Sequence, residues 1–111
     1  MSDGGQKRLQ DTLGRILAAL ETRYQPEEVI LFGVASEEIA EGSALKLLIV
    51  KDTEKGFFGR IREVVSICEY DDIEVEFLVY TPQELKDAAV VNTFVRNEIL
   101  AKGRVVYRSA A

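Results

Sequence analysis

The chain has 111 residues, 47% of them hydrophobic and 30% charged, a balance typical of one globular domain with a single core. Its formal net charge of −5 disfavours broad nucleic-acid binding and attachment to an anionic membrane surface. The sequence has no histidine and a single cysteine, Cys68, which excludes imidazole general bases, an intramolecular disulfide and a cysteine-based metal cluster. No apolar run approaches the roughly 20 residues of a membrane span. We therefore expect one soluble, cytoplasmic domain over residues 1–111, with residues 1–5, MSDGG, as a flexible tail.

The first half of the chain predicts a helix, a strand, a loop and a second strand. Apolar residues recur at helical spacing over about residues 6–24, at Leu9, Leu13, Ile16, Leu17 and Leu20. Pro26 ends this helix, and residues 29–32, VILF, form a short buried strand closed by Gly33. A loop with one or two helical turns follows, and residues 45–51, LKLLIVK, are the second strand.

The second half predicts a helix, a strand, two helical segments and a last strand. Ile61, Val64, Val65 and Cys68 mark one face of a helix over about residues 57–69. Residues 73–80 alternate between apolar and polar as a half-buried strand does. Thr81-Pro82-Gln83-Glu84 is a capping box that begins the next helix, and Gly103 ends the helical region before the strand RVVY. The fold class predicted is α/β (α+β), a small mixed sheet of about four strands flanked by helices.

Two surface features of the second helix allow more than one interpretation. Phe57 and Phe58 form either an exposed apolar patch that meets a partner or a pair with one ring buried. Arg60 and Arg62 are interpreted as a solvated helix face rather than a nucleic-acid site, since the net charge is negative. Cys68, on the apolar face of the helix, is predicted to be a small core residue.

The order of these pieces carries a resemblance to a known family. A strand ends in ILFG (residues 30–33), a second strand begins after GS (residues 42–43), and a third runs through EFLVYTPQEL (residues 76–85) into a helix and GRVVY. This ordering resembles the minimal nucleotidyltransferases of the DNA-polymerase-beta-like superfamily over nearly the whole chain. The resemblance implies a nucleotidyltransferase-like sheet, Mg²⁺ and ATP as ligands, and a Gly-Ser turn with three carboxylates as the site.

The catalytic positions of that family are altered in this chain. The Gly-Ser turn falls on Gly33-Val34, the Asp-x-Asp pair on Ala44 and Lys46, and the third carboxylate on Glu76. Two-metal catalysis needs several hard oxygen ligands, whereas a methyl group provides none and a protonated ammonium has no lone pair and repels Mg²⁺. We therefore expect a catalytically inactive nucleotidyltransferase fold without a metal or cofactor.

Lys46 has two interpretations, and the function of the chain has three. Lys46 is either a retooled catalytic base or, as we prefer, the partner of Glu76 in a cross-strand ion pair. The favoured function is a protein-interaction or regulatory role, as a homo-oligomer or with another protein. The family resemblance makes a HEPN-type helical protein of a toxin–antitoxin pair one such partner. The alternatives are a weakly active, metal-dependent nucleotidyltransferase that uses Glu74 and Glu76, and an unrelated small α/β ligand-sensing module.

Overall fold

The computed structural model describes residues 2–33, 45–68 and 75–110, and side chains from residue 10 onward. Within these residues the elements follow one another in this order: α1 (Ser2–Arg23), β1 (Glu28–Phe32), β2 (Leu45–Val50), α2 (Phe57–Ile67), β3 (Val75–Tyr80), α3 (Pro82–Val91), a π-helix (Val95–Leu100) and β4 (Arg104–Arg108). The helical turns predicted between the first two strands lie outside the described residues.

The described strands form one mixed sheet in the order β3-β2-β1-β4. β1 is antiparallel to both β2 and β4, whereas β2 and β3 are parallel. The apolar run of β2 lies in the interior of this sheet, and five of its six residues are buried. The prediction of a small mixed sheet of about four strands flanked by helices is therefore confirmed.

Alternation along the strands gives the sheet two apolar faces, and each face is covered by helices. Side chains of one face pack against α1 and α2 in a core that includes Ile16, Leu20, Leu47, Ile49, Val64 and Phe77. Side chains of the opposite face, including Ile30 and Leu48, pack against Val95 and Ile99 of the π-helix. Burial of both faces explains why β1 and β2 are continuous apolar runs rather than alternating strands.

The ends of α1 differ from the sequence-based bounds. The helix begins at Ser2 and so includes residues 2–5, which the sequence had indicated as a flexible tail. At its other end, Gln25 adopts a left-handed backbone with φ of 57°, and its N–H donates to the carbonyl of Leu20 at 2.7 Å. Lys51 donates to the carbonyls of Tyr24 and Gln25, so a cation stabilises the carboxyl end of the helix.

Gly103 connects the π-helix to β4 at a point with no space for a side chain. Its N–H donates to the carbonyl of Ile99 at 2.8 Å. A Cβ atom at this position would collide with that carbonyl oxygen and would lie 2.8 Å from Cγ2 of Ile30. The glycine predicted to end the helical region therefore also permits close packing of the chain on β1.

Among the helices of the described residues, none has the combination of length and apolar character needed to cross a membrane.

Candidate functional site

Lys46 and Glu76 lie side by side at the beginning of β2 and β3. The two strands are parallel, and their register pairs Lys46 with Glu76 directly. Because paired residues of neighbouring strands project from the same face, both side chains lie on the face that carries Leu48 and Leu78. Lys46 Nζ is 3.9 Å from Glu76 Oε2, so the two residues that the sequence analysis paired are within ion-pair distance.

This ion pair is a weak one. The side chains of Lys46 and Glu76 are 41% and 58% exposed, and their separation is near the upper limit for a salt bridge. Solvent-exposed pairs of this kind contribute about 0.2–1 kcal/mol and are screened by salt. Stability alone therefore gives little reason for a lysine at this position.

Gly33 lies beneath the aliphatic stem of Lys46. Gly33 has a φ of +70°, which favours glycine, and it directly follows β1. A Cβ atom there would lie 2.7 Å from Cδ of Lys46 and 3.6 Å from its Nζ. The structure thus brings together Gly33, Lys46 and Glu76, three of the positions that the family resemblance singled out.

The other predicted site positions, Val34, Ala44 and Glu74, lie outside the described residues. Within the described residues, no three carboxylate or thiol side chains come together in a group that could hold a metal ion. The described part of the site is one ammonium and one carboxylate. An ammonium offers hydrogen-bond donors and no lone pair, and a single carboxylate falls short of the ligand set that Mg²⁺ requires.

Aromatic packing borders this site on the side of the π-helix. Phe32 is the Cα partner of Lys46 on β1 and is buried in the second core. Its ring makes an edge-to-face contact with Phe94, with ring centroids 6.2 Å apart. The site therefore adjoins the segment between α3 and the π-helix.

A second charged group, which the sequence analysis assigned wrongly, lies at the free edge of β3. Arg60 is buried, whereas it had been interpreted as part of a solvated face together with Arg62, which is exposed. Its guanidinium donates to both carboxylate oxygens of Glu84, at 2.6 and 3.3 Å. It also donates to the carbonyls of Lys55 and Val79, at 2.6 and 3.2 Å. The spacing that placed Val64 and Cys68 on the inner face of the helix includes Arg60, four residues earlier, and could have identified it.

Glu84 joins this arginine to the capping box predicted from the sequence. The Thr81 side chain accepts from the N–H of Glu84, and the Glu84 carboxylate accepts from the N–H of Thr81 at 2.8 Å. The hydrogen bond from Arg60, followed by the one from the Thr81 backbone, lowers the pKa of Glu84 below its usual value. Glu84 thus links α2 to the start of α3, and Arg60 also donates to Val79 of β3.

Four further residues with aromatic or thiol side chains lie either on the surface or in the core. Phe57 and Phe58 are both exposed and contact each other edge to face, so the alternative with one buried ring is wrong. Cys68 lies in the first core, and burial raises the pKa of its thiol to about 11, which makes it a poor nucleophile. Tyr24 is buried, and its hydroxyl has no hydrogen-bond partner among the described residues. No pattern in the sequence points to this hydroxyl, because Tyr24 fits the apolar helical spacing of α1.

Comparison with known proteins adds no relative to these observations: no family model, curated protein or solved structure matches the chain.

Proposed function

We propose that the chain is a catalytically inactive member of the nucleotidyltransferase fold that acts by binding another protein chain. We propose that this binding function uses neither Mg²⁺ nor ATP. We also propose that the protein is cytoplasmic, and its negative net charge leads us to propose that it binds neither nucleic acid nor anionic membrane surfaces.

The observation that carries the proposal is the in-register pairing of Lys46 with Glu76. In the resembled family the corresponding strands present carboxylates on one face to divalent ions. Here the register of β2 and β3 keeps positions 46 and 76 adjacent, and an ammonium lies 3.9 Å from the carboxylate. The ammonium satisfies the negative charge that a metal ion would otherwise neutralise, and it repels a second cation.

Calorimetry with ATP, with and without Mg²⁺, tests the loss of catalysis. We expect no Mg²⁺-dependent binding of ATP to the wild-type chain and no transfer of labelled AMP to any acceptor. The double variant Ala44→Asp/Lys46→Asp restores both carboxylates of the family's Asp-x-Asp pair, and it should gain Mg²⁺ binding. Lys46→Met is the matched control, because it removes the cation without adding a ligand and should gain none.

Two results would contradict the proposal. Micromolar, Mg²⁺-dependent binding of ATP by the wild-type chain would favour an active enzyme that uses Glu74 and Glu76. Failure of the double variant to bind Mg²⁺ while it remains folded would count against the family alignment itself.

The proposed partner is a protein, either a second copy or a different chain such as a HEPN-type helical protein. Exposed apolar side chains on α2, at the end of α3 and directly after it are consistent with such contacts. Affinity capture from the native host followed by mass spectrometry should recover a stoichiometric partner if the partner is a different chain. Recovery of the chain alone, as a monomer, would contradict an interaction role.

A further inference from the structure

The α3 helix differs from the other helices of the described residues because none of its side chains is buried. Its inner side chains, Leu85 and Ala88, are only partly buried against the second core. The π-helix that follows is anchored in the same core by Val95 and Ile99, whose exposed fractions are 1% and 0%. Because burial of apolar surface is the main force that holds a helix on a sheet, α3 is held less firmly than its neighbours.

The chain on either side of α3 is held by contacts that do not involve this helix. Before it, β3 is paired with β2 along its whole length. After it, Asn92 caps the π-helix: its side chain accepts from the N–H of Val95, and its carbonyl accepts from the N–H of Arg96. Thr81 and Asn92, directly before and after α3, have extended backbones. These two residues are therefore the points at which α3 can separate from chain that stays folded.

An ion pair ties the amino-terminal turn of α3 to α2 across the edge of the sheet. Both carboxylate oxygens of Glu84 accept from the Arg60 guanidinium, at 2.6 and 3.3 Å. Arg60 is buried and is also held independently of α3, because it donates to the carbonyls of Lys55 and Val79. One half of the pair is therefore fixed in the rest of the fold, and the other half belongs to the helix.

The contacts at the other end of α3 are weaker. Arg96 donates to the carbonyls of Ala89 and Val90 at 3.4 and 3.0 Å, and both hydrogen bonds are exposed. Water can replace such bonds at little cost, so the pair of Arg60 and Glu84 is the stronger of the two ties.

We propose that α3 is a hinged lid, which undocks as one unit between Thr81 and Asn92 while the remaining fold stays intact, and that the Arg60–Glu84 ion pair is its latch. A helix of ten residues is marginal in water on its own, so the undocked segment also loses its helical hydrogen bonds. Local openings of this kind cost less free energy than global unfolding and occur in segments with few buried apolar contacts.

The lid covers part of the sheet face that carries Lys46 and Glu76. On β3 the side chains of Glu76, Leu78 and Tyr80 project from this face, and α3 contacts the same strand. Undocking therefore extends the accessible part of the face along β3, away from the ion pair of Lys46 and Glu76. This inference does not depend on the proposed loss of catalysis, because it rests on the packing of α3 alone.

Native-state amide hydrogen exchange, measured residue by residue by NMR, tests the lid. The protection factors of residues 85–91 should be at least about a hundredfold lower than those of residues 47–49 in β2, which report global unfolding. They should also share one shallow dependence on urea, because undocking exposes less surface than unfolding does. Protection that rises steadily from the helix ends to its middle, with no dependence on urea, would mean simple fraying and would overturn the proposal.

Glu84→Gln tests the latch. Glutamine can still complete the capping box but lacks the charge that pairs with Arg60, so the protection factors of α3 should fall by about three- to tenfold. Asp87→Asn is the matched control, since it removes the same charge from an exposed site on the same helix and should change them by no more than about twofold. Equal effects of the two variants would show that Arg60 does not latch the helix.

Two further variants separate undocking of the lid from unfolding of the whole chain. Val64→Ala opens a cavity in the first core, so it should lower protection in β2 by more than about tenfold and leave protection in α3 unchanged. Arg60→Ala should lower protection in β2 more than in α3, because the bonds of Arg60 to Lys55 and Val79 survive undocking and are lost only on unfolding. Equal losses in β2 and α3 for both variants would mean that α3 opens only when the whole chain unfolds, and the lid would be refuted.

Discussion

Replacement of Arg60 tests how α2, on one face of the sheet, is joined to α3, on the other face, across the free edge of β3. The guanidinium donates four hydrogen bonds, two to the Glu84 carboxylate and one each to the carbonyls of Lys55 and Val79. Arg60→Ala removes all four and leaves the Val79 carbonyl, whose bond is buried, without its donor. We expect a substantial loss in the free energy of unfolding, larger than for any exposed charge on α2.

The size of that loss follows from the burial of each group. Hydrogen bonds that involve a charged group contribute about 1.5–3 kcal/mol, and an unsatisfied buried carbonyl costs about 1–3 kcal/mol. Glu84 is about half exposed, so water can replace the arginine there and only part of its contribution is lost. The sum for Arg60→Ala is about 2–4 kcal/mol. Arg60→Lys should restore less than half of it, because an ammonium cannot form the two-pronged contact with the carboxylate.

Urea unfolding followed by circular dichroism measures these differences directly. Arg62→Ala is the matched control, since Arg62 lies two residues away on α2, is exposed, and should change the free energy of unfolding by no more than about 0.5 kcal/mol. Equal losses for Arg60→Ala and Arg62→Ala would refute the assignment of Arg60 as the link between the layers.

The pH dependence of the same link has a definite sign. The pKa of Glu84 is lowered in the folded protein, chiefly by the hydrogen bond from Arg60, so its contribution is present above the unfolded pKa of the carboxyl. It is lost as the pH falls through the lowered folded pKa. The stability difference between wild type and Glu84→Gln should therefore be largest near neutral pH and shrink under acid conditions. A difference that stays constant or grows as the pH falls would contradict the direction of the shift.

Three further substitutions test local features of the fold by urea unfolding. Gly103→Ala should destabilise the fold by about 1–3 kcal/mol or more, because its Cβ would collide with the backbone of Ile99. An unchanged midpoint of urea unfolding would contradict this close approach. Gln25→Gly should stabilise by about 0.5–1 kcal/mol by relieving a left-handed residue, with Gln25→Ala as the neutral control. Tyr24→Phe should stabilise by about 1 kcal/mol, since it removes a buried hydroxyl without a partner among the described residues; a loss of stability would show that the hydroxyl is bonded.

Periodicity predicted the fold because both faces of the sheet are made of regular elements. The alternation after residue 73, the capping box at Thr81 and the apolar stripe of α1 each specify an element by local physics, and the structure contains each of them. No such local signal predicts that the last helical segment is a π-helix. The π-helix accompanies the close passage at Gly103, which is a tertiary contact.

Charged residues were harder to place than apolar ones. The interpretation of Arg60 as solvated followed the usual preference of arginine for water, and the preference failed because Glu84 and the carbonyl of Val79 meet it at the sheet edge. By contrast, Lys46 and Glu76 were paired by assuming that their strands are neighbours, and the observed register makes them so. Whether a charged residue is buried or exposed thus depends on partners that are distant in the sequence, and the spacing of residues along the chain does not reveal them.

The register of β2 and β3 gives the lysine a physical role beyond weak stabilisation. Side chains at positions 46 and 76 must lie together, so carboxylates at both would repel each other unless a cation lay between them. The ammonium group of Lys46 is itself the cation beside Glu76, so no metal ion is needed to balance the charge of that carboxylate. Lys46→Asp should therefore be less stable than Lys46→Asn, and millimolar Mg²⁺ should recover part of the deficit, since a ligand that binds only the folded state stabilises it. Equal stability of the two variants, with no effect of Mg²⁺ on either, would mean that the two side chains do not share one site.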